Sequence, residues 1–358
     1  MRQFLESEIE PLAIGAWVLG TGGGGSPYHG FLNLKKLYRE GRTVKLIAPE
    51  ELADDANVAV VSSMGAPMVG LERLTDPEIL VQAVQMMEEY RGVKFDAIMS
   101  VEIGGGNAIQ PFLAAALMGL PVVDADAMGR AFPEAQMTSF AIADLPMFPL
   151  TLADVRDNAV VVARAASWKW MERISRKVCV EVGSVASTCK APRTGREVKD
   201  FGIHGTVTQA VAIGNAVQQA QREHRDPVQA ILEQEDGKLV FVGRVWDVER
   251  RTTEGFLRGK TLIDGLGDYR DQQILINFQN EYTLVSRNGE PLVTTPDLIC
   301  VLDTVSGEAI GTETLRYGQR VTVIAMRAAP ILTTPKGLEH VGPRAFGHDV
   351  NFKSVFQS

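Results

Sequence analysis

Along the first third of the chain, Ile9, Leu12, Ala13, Ala16, Trp17 and Leu19 recur at helical spacing, which predicts a helix over residues 7–19. The segment TGGGGSP (21–27) breaks that pattern. Ser26 before Pro27 reads as an N-cap and first helical position, so a second helix is expected to run to about Glu40. Asn57–Ser63 and Asp96–Val101 read as buried strands, with a helix over Asp76–Tyr90 between them. Asn107 can cap a helix reaching Met118, and Leu120–Val123 is a third strand ending at Asp124. Strands and helices alternating at this spacing predict parallel βαβ units.

The pattern then changes. After Ala159 come a short strand, a helix around Trp168–Lys177, a β-branched stretch ending near Ser187, and a helix over residues 207–222. Beyond Lys238 short alternating segments follow one another to residue 329, with Asn288-Gly289 suited to a hairpin turn. The expected fold is therefore an α/β N-terminal domain with parallel βαβ units plus a mainly β C-terminal domain, α+β overall. The expected division is 1–165 for the α/β domain and 166–235 for a connecting segment packed on it. A β-rich domain over 236–335 and a tail over 336–358 returning to the first domain complete it.

At 358 residues two such parts are the default for one chain. A formal net charge of −8 argues against a nucleic-acid partner, which would call for a basic stripe. Three widely spaced cysteines, an odd number, do not make a disulfide framework and point to a reducing compartment. Glu6, Glu8 and Glu10 precede the first apolar stretch, unlike a secretory signal, and no apolar run approaches the ~18 residues of a membrane span. A cytoplasmic protein without a membrane partner is expected.

Chemistry could reside in three places. Gly22, Gly23, Gly24 and Gly25 are costly to order, so the loop either needs close backbone approach to a ligand or makes a tight turn. Its amides and the following helix start would accept an anion. No Gly-Lys-Ser/Thr follows and a helix precedes it, so no nucleotide is expected. Glu102–Asn107 (EIGGGN) lies at a strand end, where open α/β sheets bind ligands; Gly105 and Gly106 would allow approach while Glu102 and Asn107 supply polar groups. Asp124 and Asp126 end the next strand, followed by Arg130; they could hold a divalent metal such as zinc, supply a general base, or only form a turn and cap. Among five histidines, His204, just before a helix, is the preferred base or metal ligand. Cys189 beside Lys190 reads either as a thiolate or as a buried inert thiol.

The four motifs LGTGGGGSP, VEIGGGN, DADAMGRAFPE and GPRAFG together make the chain resemble the S-methyl-thiohydantoin desulfurase-like family, over essentially its whole length. That resemblance implies a hydrolase acting on a small cyclic amide-like compound, in which an S-methylated thiohydantoin loses a thiol to leave a hydantoin. The expected site is Asp124, Asp126, Glu102 and His204 as catalytic residues, with the glycines, Asn107 and Arg130 binding substrate. Asp124, Asp126 and His204 are the expected metal ligands. A homo-oligomer and a hydantoinase-like partner are also expected. The alternative from another class is a non-catalytic binding module or subunit working beside a hydantoinase/oxoprolinase-type enzyme.

Overall fold

The structure, a computed structural model, describes residues 1–65, 69 and 76–356. The first sheet is built from β1 (Arg2–Phe4), β2 (Val44–Ile47), β3 (Asn57–Gly65), β4 (Ala97–Ser100) and β5 (Val122–Val123). A two-residue strand, β6 (Ala125–Asp126), stands outside it. Strands β7 (Leu150–Ala153), β8 (Ala159–Val162) and β9 (Val185–Thr194) complete the sheet, in the order β1-β2-β5-β4-β3-β9-β7-β8. The central pairs β2/β5, β5/β4 and β4/β3 are parallel, as the strand–helix alternation predicts, while both flanks are antiparallel. On β3 the side chains alternate between two cores: Ala59 and Val61 belong to one, Val58 and Val60 to the other. Burial of both faces explains why this strand reads as an unbroken apolar run.

The second sheet is wholly antiparallel. It runs β15 (Glu290–Thr294), β14 (Glu281–Arg287), β13 (Gln273–Gln279), β12 (Phe256–Gly265), β11 (Lys238–Thr253), β17 (Arg320–Met326) and β16 (Leu298–Asp303), with β10 (Ile203–His204) pairing β6 separately. The expected hairpin lies between β14 and β15, where Asn288 and Gly289 both take positive φ (53° and 83°), as a tight two-residue turn requires. QILINFQNEYTLV, which reads as one stretch, is divided at Asn280, whose φ of 57° turns β13 into β14. The connecting segment gives β9 to the first sheet, and Leu332 and Val341 of the C-terminal part join one of that sheet's cores. Among the described residues no helix is long and apolar enough to cross a membrane.

Helix Glu6–Leu19 packs along helix Thr206–Arg222 with two glycines at the contact. A Cβ on Gly15 would stand 1.8 Å from the Ala210 carbonyl oxygen, and one on Gly214 would stand 2.0 Å from that of Pro11. Backbone, which cannot swing away, blocks any larger residue. Gly214→Ala is therefore expected to lower stability by about 1–3 kcal/mol through overpacking, read as a lower urea midpoint with an unchanged slope. An unaltered midpoint would show that the crossing is looser than this.

Candidate functional site

The two glycine segments lock together without side chains. The Gly106 amide donates to the carbonyls of Gly24 (3.1 Å) and Gly25 (2.9 Å). A Cβ on Gly105 would fall 2.6 Å from the Gly24 carbonyl carbon, and one on Gly24 would fall 2.6 Å from the Gly104 oxygen. The C-terminal sheet then closes over the first loop. The Tyr282 amide donates to the Thr21 carbonyl (2.8 Å) and the Thr312 amide to that of Gly22 (2.8 Å). The Tyr282 ring stands where a Gly22 Cβ would be, and Glu281 Oε1 lies 2.0 Å from where a Gly23 Cβ would be. The Gly24 amide faces the Glu281 carboxyl group, so a side chain of the protein itself occupies the place at this loop expected for an anion.

Beside these segments lies a cavity of about 330 Å³, lined on the glycine side by Gly24, Gly25, Gly106 and Asn107. Glu102, Glu281, Ser62, Lys190, His29 and Glu172 supply much of its polar lining. It sits where the carboxyl ends of parallel β3 and β4 open, the place such sheets hold ligands.

Glu102 is 5 % exposed. Its Oε1 accepts from Asn107 Nδ2 and its Oε2 from the Phe132 amide (2.9 Å). Asn107 also receives the Ser63 amide on its Oδ1 (2.7 Å), so it ties the carboxylate to the end of β3 rather than capping a helix. Burial pushes Glu102 up to about 7, against the hydrogen bonds from Asn107 and Phe132. Glu281 is 2 % exposed and its Oε2 has no hydrogen-bond partner. Burial raises it well above the usual carboxylate range, the nearby Glu102 charge adds to that, and the Arg130 guanidinium opposes it. Glu172 is also buried, but its Oε1 accepts from Arg176 and its Oε2 from the Ala135 amide.

The remaining residues expected at the site lie elsewhere. Asp124 takes the amides of Val207 (2.9 Å) and Thr208 (3.0 Å) and the Thr208 hydroxyl, so it anchors the start of helix Thr206–Arg222. Asp126 is fully buried behind the cavity. Its Oδ2 gathers the amides of Ile103 (2.8 Å), Met128 (3.1 Å) and Gly129 (2.8 Å), and burial pushes it up to about 7. His204 Nδ1 faces Glu50 Oε1 (3.0 Å) and Nε2 faces the Val198 carbonyl (3.2 Å). The three do not converge as metal ligands, because each is already committed to a different structural contact. Among the described residues no group of three or more His, Cys, Asp or Glu side chains is placed to hold a metal ion.

Arg130 does not line the cavity either. It is fully buried and spends its donors on the carbonyls of Ala131, Pro296, Asp297 and Tyr282 and on the Thr21 hydroxyl, joining the two halves. Cys189 faces a core together with Val61, and burial pushes its thiol up to about 12, the inert alternative. Sequence reasoning missed Ser62, Lys190 and Glu281. Ser62 lies at the end of a strand that reads as a buried apolar run, and Lys190 lies beyond the point near Ser187 where the β-branched stretch is expected to end. Glu281 carries one signal, an acid next to an apolar run in QNEYTLV, but nothing local says that the loop at Gly22–Gly25, far earlier in the chain, covers it.

Models of the S-Me-THD-like N-terminal domain and the S-Me-THD-like C-terminal domain match residues 7–164 and 166–355. The crystal structure of a protein from Chromobacterium violaceum superposes with a TM-score of 0.83 at 23% identity, covering 99% of this chain and 100% of that one, which shows a shared fold. Among curated proteins, none matches. Matched by both domain models over nearly its whole length, the chain belongs to the S-Me-THD-like family.

Proposed function

We propose that the cavity hydrolyses a small cyclic amide-like compound, with an S-methylated thiohydantoin as substrate and methanethiol and a hydantoin as products. One observation carries this reading: two buried carboxyl groups, Glu102 and Glu281, face the same cavity from different environments. Groups whose surroundings separate their proton affinities divide into base and acid. Glu102, pushed up to about 7, is partly a carboxylate at neutral pH, whereas burial and the Glu102 charge favour the protonated form of Glu281. A volume of about 330 Å³ lies at the small end of ligand cavities, roughly 300–1,000 Å³, and suits a single five-membered ring.

Glu102 takes a proton from the water that brings the new oxygen to the carbon bearing sulfur. Glu281 gives its proton to the departing sulfur, which leaves as methanethiol. The proton remaining on the new oxygen passes to Glu281, and the one on Glu102 passes to the ring nitrogen. The product is then the hydantoin, and both carboxyl groups are restored.

Thiol release from S-methyl-thiohydantoin tests the reading. Glu102→Gln is expected to cut turnover by ~10²–10⁴-fold, the usual worth of a general base, while hydantoin binding survives. Asp124→Asn, altering only a helix start, should turn over like the wild type. Wild-type turnover in Glu102→Gln would remove the carboxylate from the chemistry. Ligand binding without any thiol release in the wild type would favour a binding module instead.

The pH dependence follows from the same group. Because burial raises Glu102, the active carboxylate form grows as pH rises through about 7. On its acid side kcat/KM should therefore climb tenfold per pH unit and level off above about 7. Steady-state kinetics from pH 5 to 9 would show this limb, and in Glu102→Gln the residual rate should lack it. A limb centred near 4 would mean that Glu102 is not the base.

A further inference from the structure

Strand alternation brings a second set of groups to the cavity. On the antiparallel pair β3/β9, Ser62 stands opposite Thr188, and Lys190 is two residues further along the same face. Cys189 between them turns to the core on the other side. Lys190 Nζ lies 3.0 Å from Ser62 Oγ and 3.2 Å from Thr188 Oγ1, and the Thr188 hydroxyl donates to the Ser62 carbonyl (3.0 Å). Ser62 is 2 % exposed, and both it and Lys190 reach the cavity lining. No salt bridge within 4 Å holds Lys190 among the described residues, and Glu172 and Glu102 act on it only through space. A hydroxyl, an amine within hydrogen-bond reach and a third group orienting the amine are the parts of an activated serine.

We propose that Ser62 Oγ is the nucleophile that expels sulfur and that Lys190 Nζ is its proton acceptor, with Thr188 holding the amine in place. This rests on the hydrolytic reading and divides it into two steps. In the first, a bond forms from Ser62 Oγ to the carbon bearing sulfur while the hydroxyl proton passes to neutral Lys190. The carbon–sulfur bond breaks, and methanethiol leaves with the proton of Glu281. In the second, water deprotonated by Glu102 adds to the same carbon, the bond to Oγ breaks, and Lys190 returns the proton to Ser62. The new oxygen's remaining proton restores Glu281, and Glu102 passes its own to the ring nitrogen, so the hydantoin leaves a regenerated enzyme. Burial lowers the affinity of Lys190 for its proton, against the attraction of the Glu172 and Glu102 carboxylates, and so shifts it toward the neutral amine that this requires.

Two readouts test the proposal on the full-length protein. Phenylmethylsulfonyl fluoride, whose sulfur takes a serine oxygen and releases fluoride, should label the peptide carrying Ser62. Labelling should be at least ~10-fold slower in Lys190→Met and absent in Ser62→Ala. With S-methyl-thiohydantoin, intact-mass analysis should show an adduct that accumulates in Glu102→Gln, where the second step stalls, and Ser62→Ala should release thiol ~10²-fold or more slowly. Circular dichroism matching the wild type confirms that each variant is folded. If the wild type releases thiol but folded Ser62→Ala and Lys190→Met do so equally well, the nucleophile is water alone and only this proposal fails. If Ser62 resists the sulfonyl fluoride and forms no adduct, the proposal is overturned. If the sulfonyl fluoride labels Ser62 but no thiol is released, the hydrolytic reading fails while the activated serine stands.

Discussion

Contact of backbone on backbone governs this molecule. Gly24 lies against Gly104 and Gly105 at distances that leave no room for a Cβ, and the C-terminal sheet then lays Glu281 and Tyr282 directly onto Gly23 and Gly22. With no side chains to hold the layers apart, three segments distant in sequence meet around one small cavity. The glycines are costly to order because they lose the most conformational freedom on folding. That cost is offset by amide–carbonyl hydrogen bonds such as those from Gly106, Tyr282 and Thr312.

Electrostatics follow from that closure. Arg130, fully buried, bonds only to carbonyls and one hydroxyl, so the acids near it, Glu281, Asp297 and Glu102, act on its charge through space rather than by a direct ion pair. Burial opposes ionising all of those acids together, and the Glu102 charge adds to that at Glu281 while Arg130 opposes it. Glu281 carries the heaviest burden, with an unpartnered oxygen and the Glu102 charge nearby. Glu102, held by two donors, is less perturbed. Asp126 sits behind them and fastens Ile103, Met128 and Gly129, so the strand end carrying Glu102 cannot drift.

Local patterning made much of this legible. The helices starting near residues 6, 77, 168 and 206 and the alternating strands after Lys238 stand where periodicity predicts them, because each buries a face continuous in sequence. Both glycine segments and Glu102 could be singled out, since an ordinary turn seldom needs four glycines in a row and a glycine-flanked acid at a strand end sits where such sheets bind ligands. Asp124 was misleading for a physical reason: an aspartate after a strand serves equally well as a ligand or as an anchor for a helix start, and only the position of residues 206–208 decides. His204 was drawn away in the same manner by Glu50. Ser62, Lys190 and Glu281 were invisible because their significance arises from strand pairing across 126 to 128 residues and from a sheet folding back over the N-terminal loop. No window of sequence contains that information.

The most direct test of the account is to observe the two carboxyl groups titrating. Protein labelled with ¹³C at glutamate Cδ, with resonances assigned through Glu102→Gln and Glu281→Gln, would be followed by NMR from pH 4 to 9. The account predicts that Glu102 changes charge near pH 7 while Glu281 still carries its proton at that pH. Two glutamates both ionised below pH 5 would contradict it, because a cavity that leaves its carboxyl groups unperturbed holds no separated acid and base.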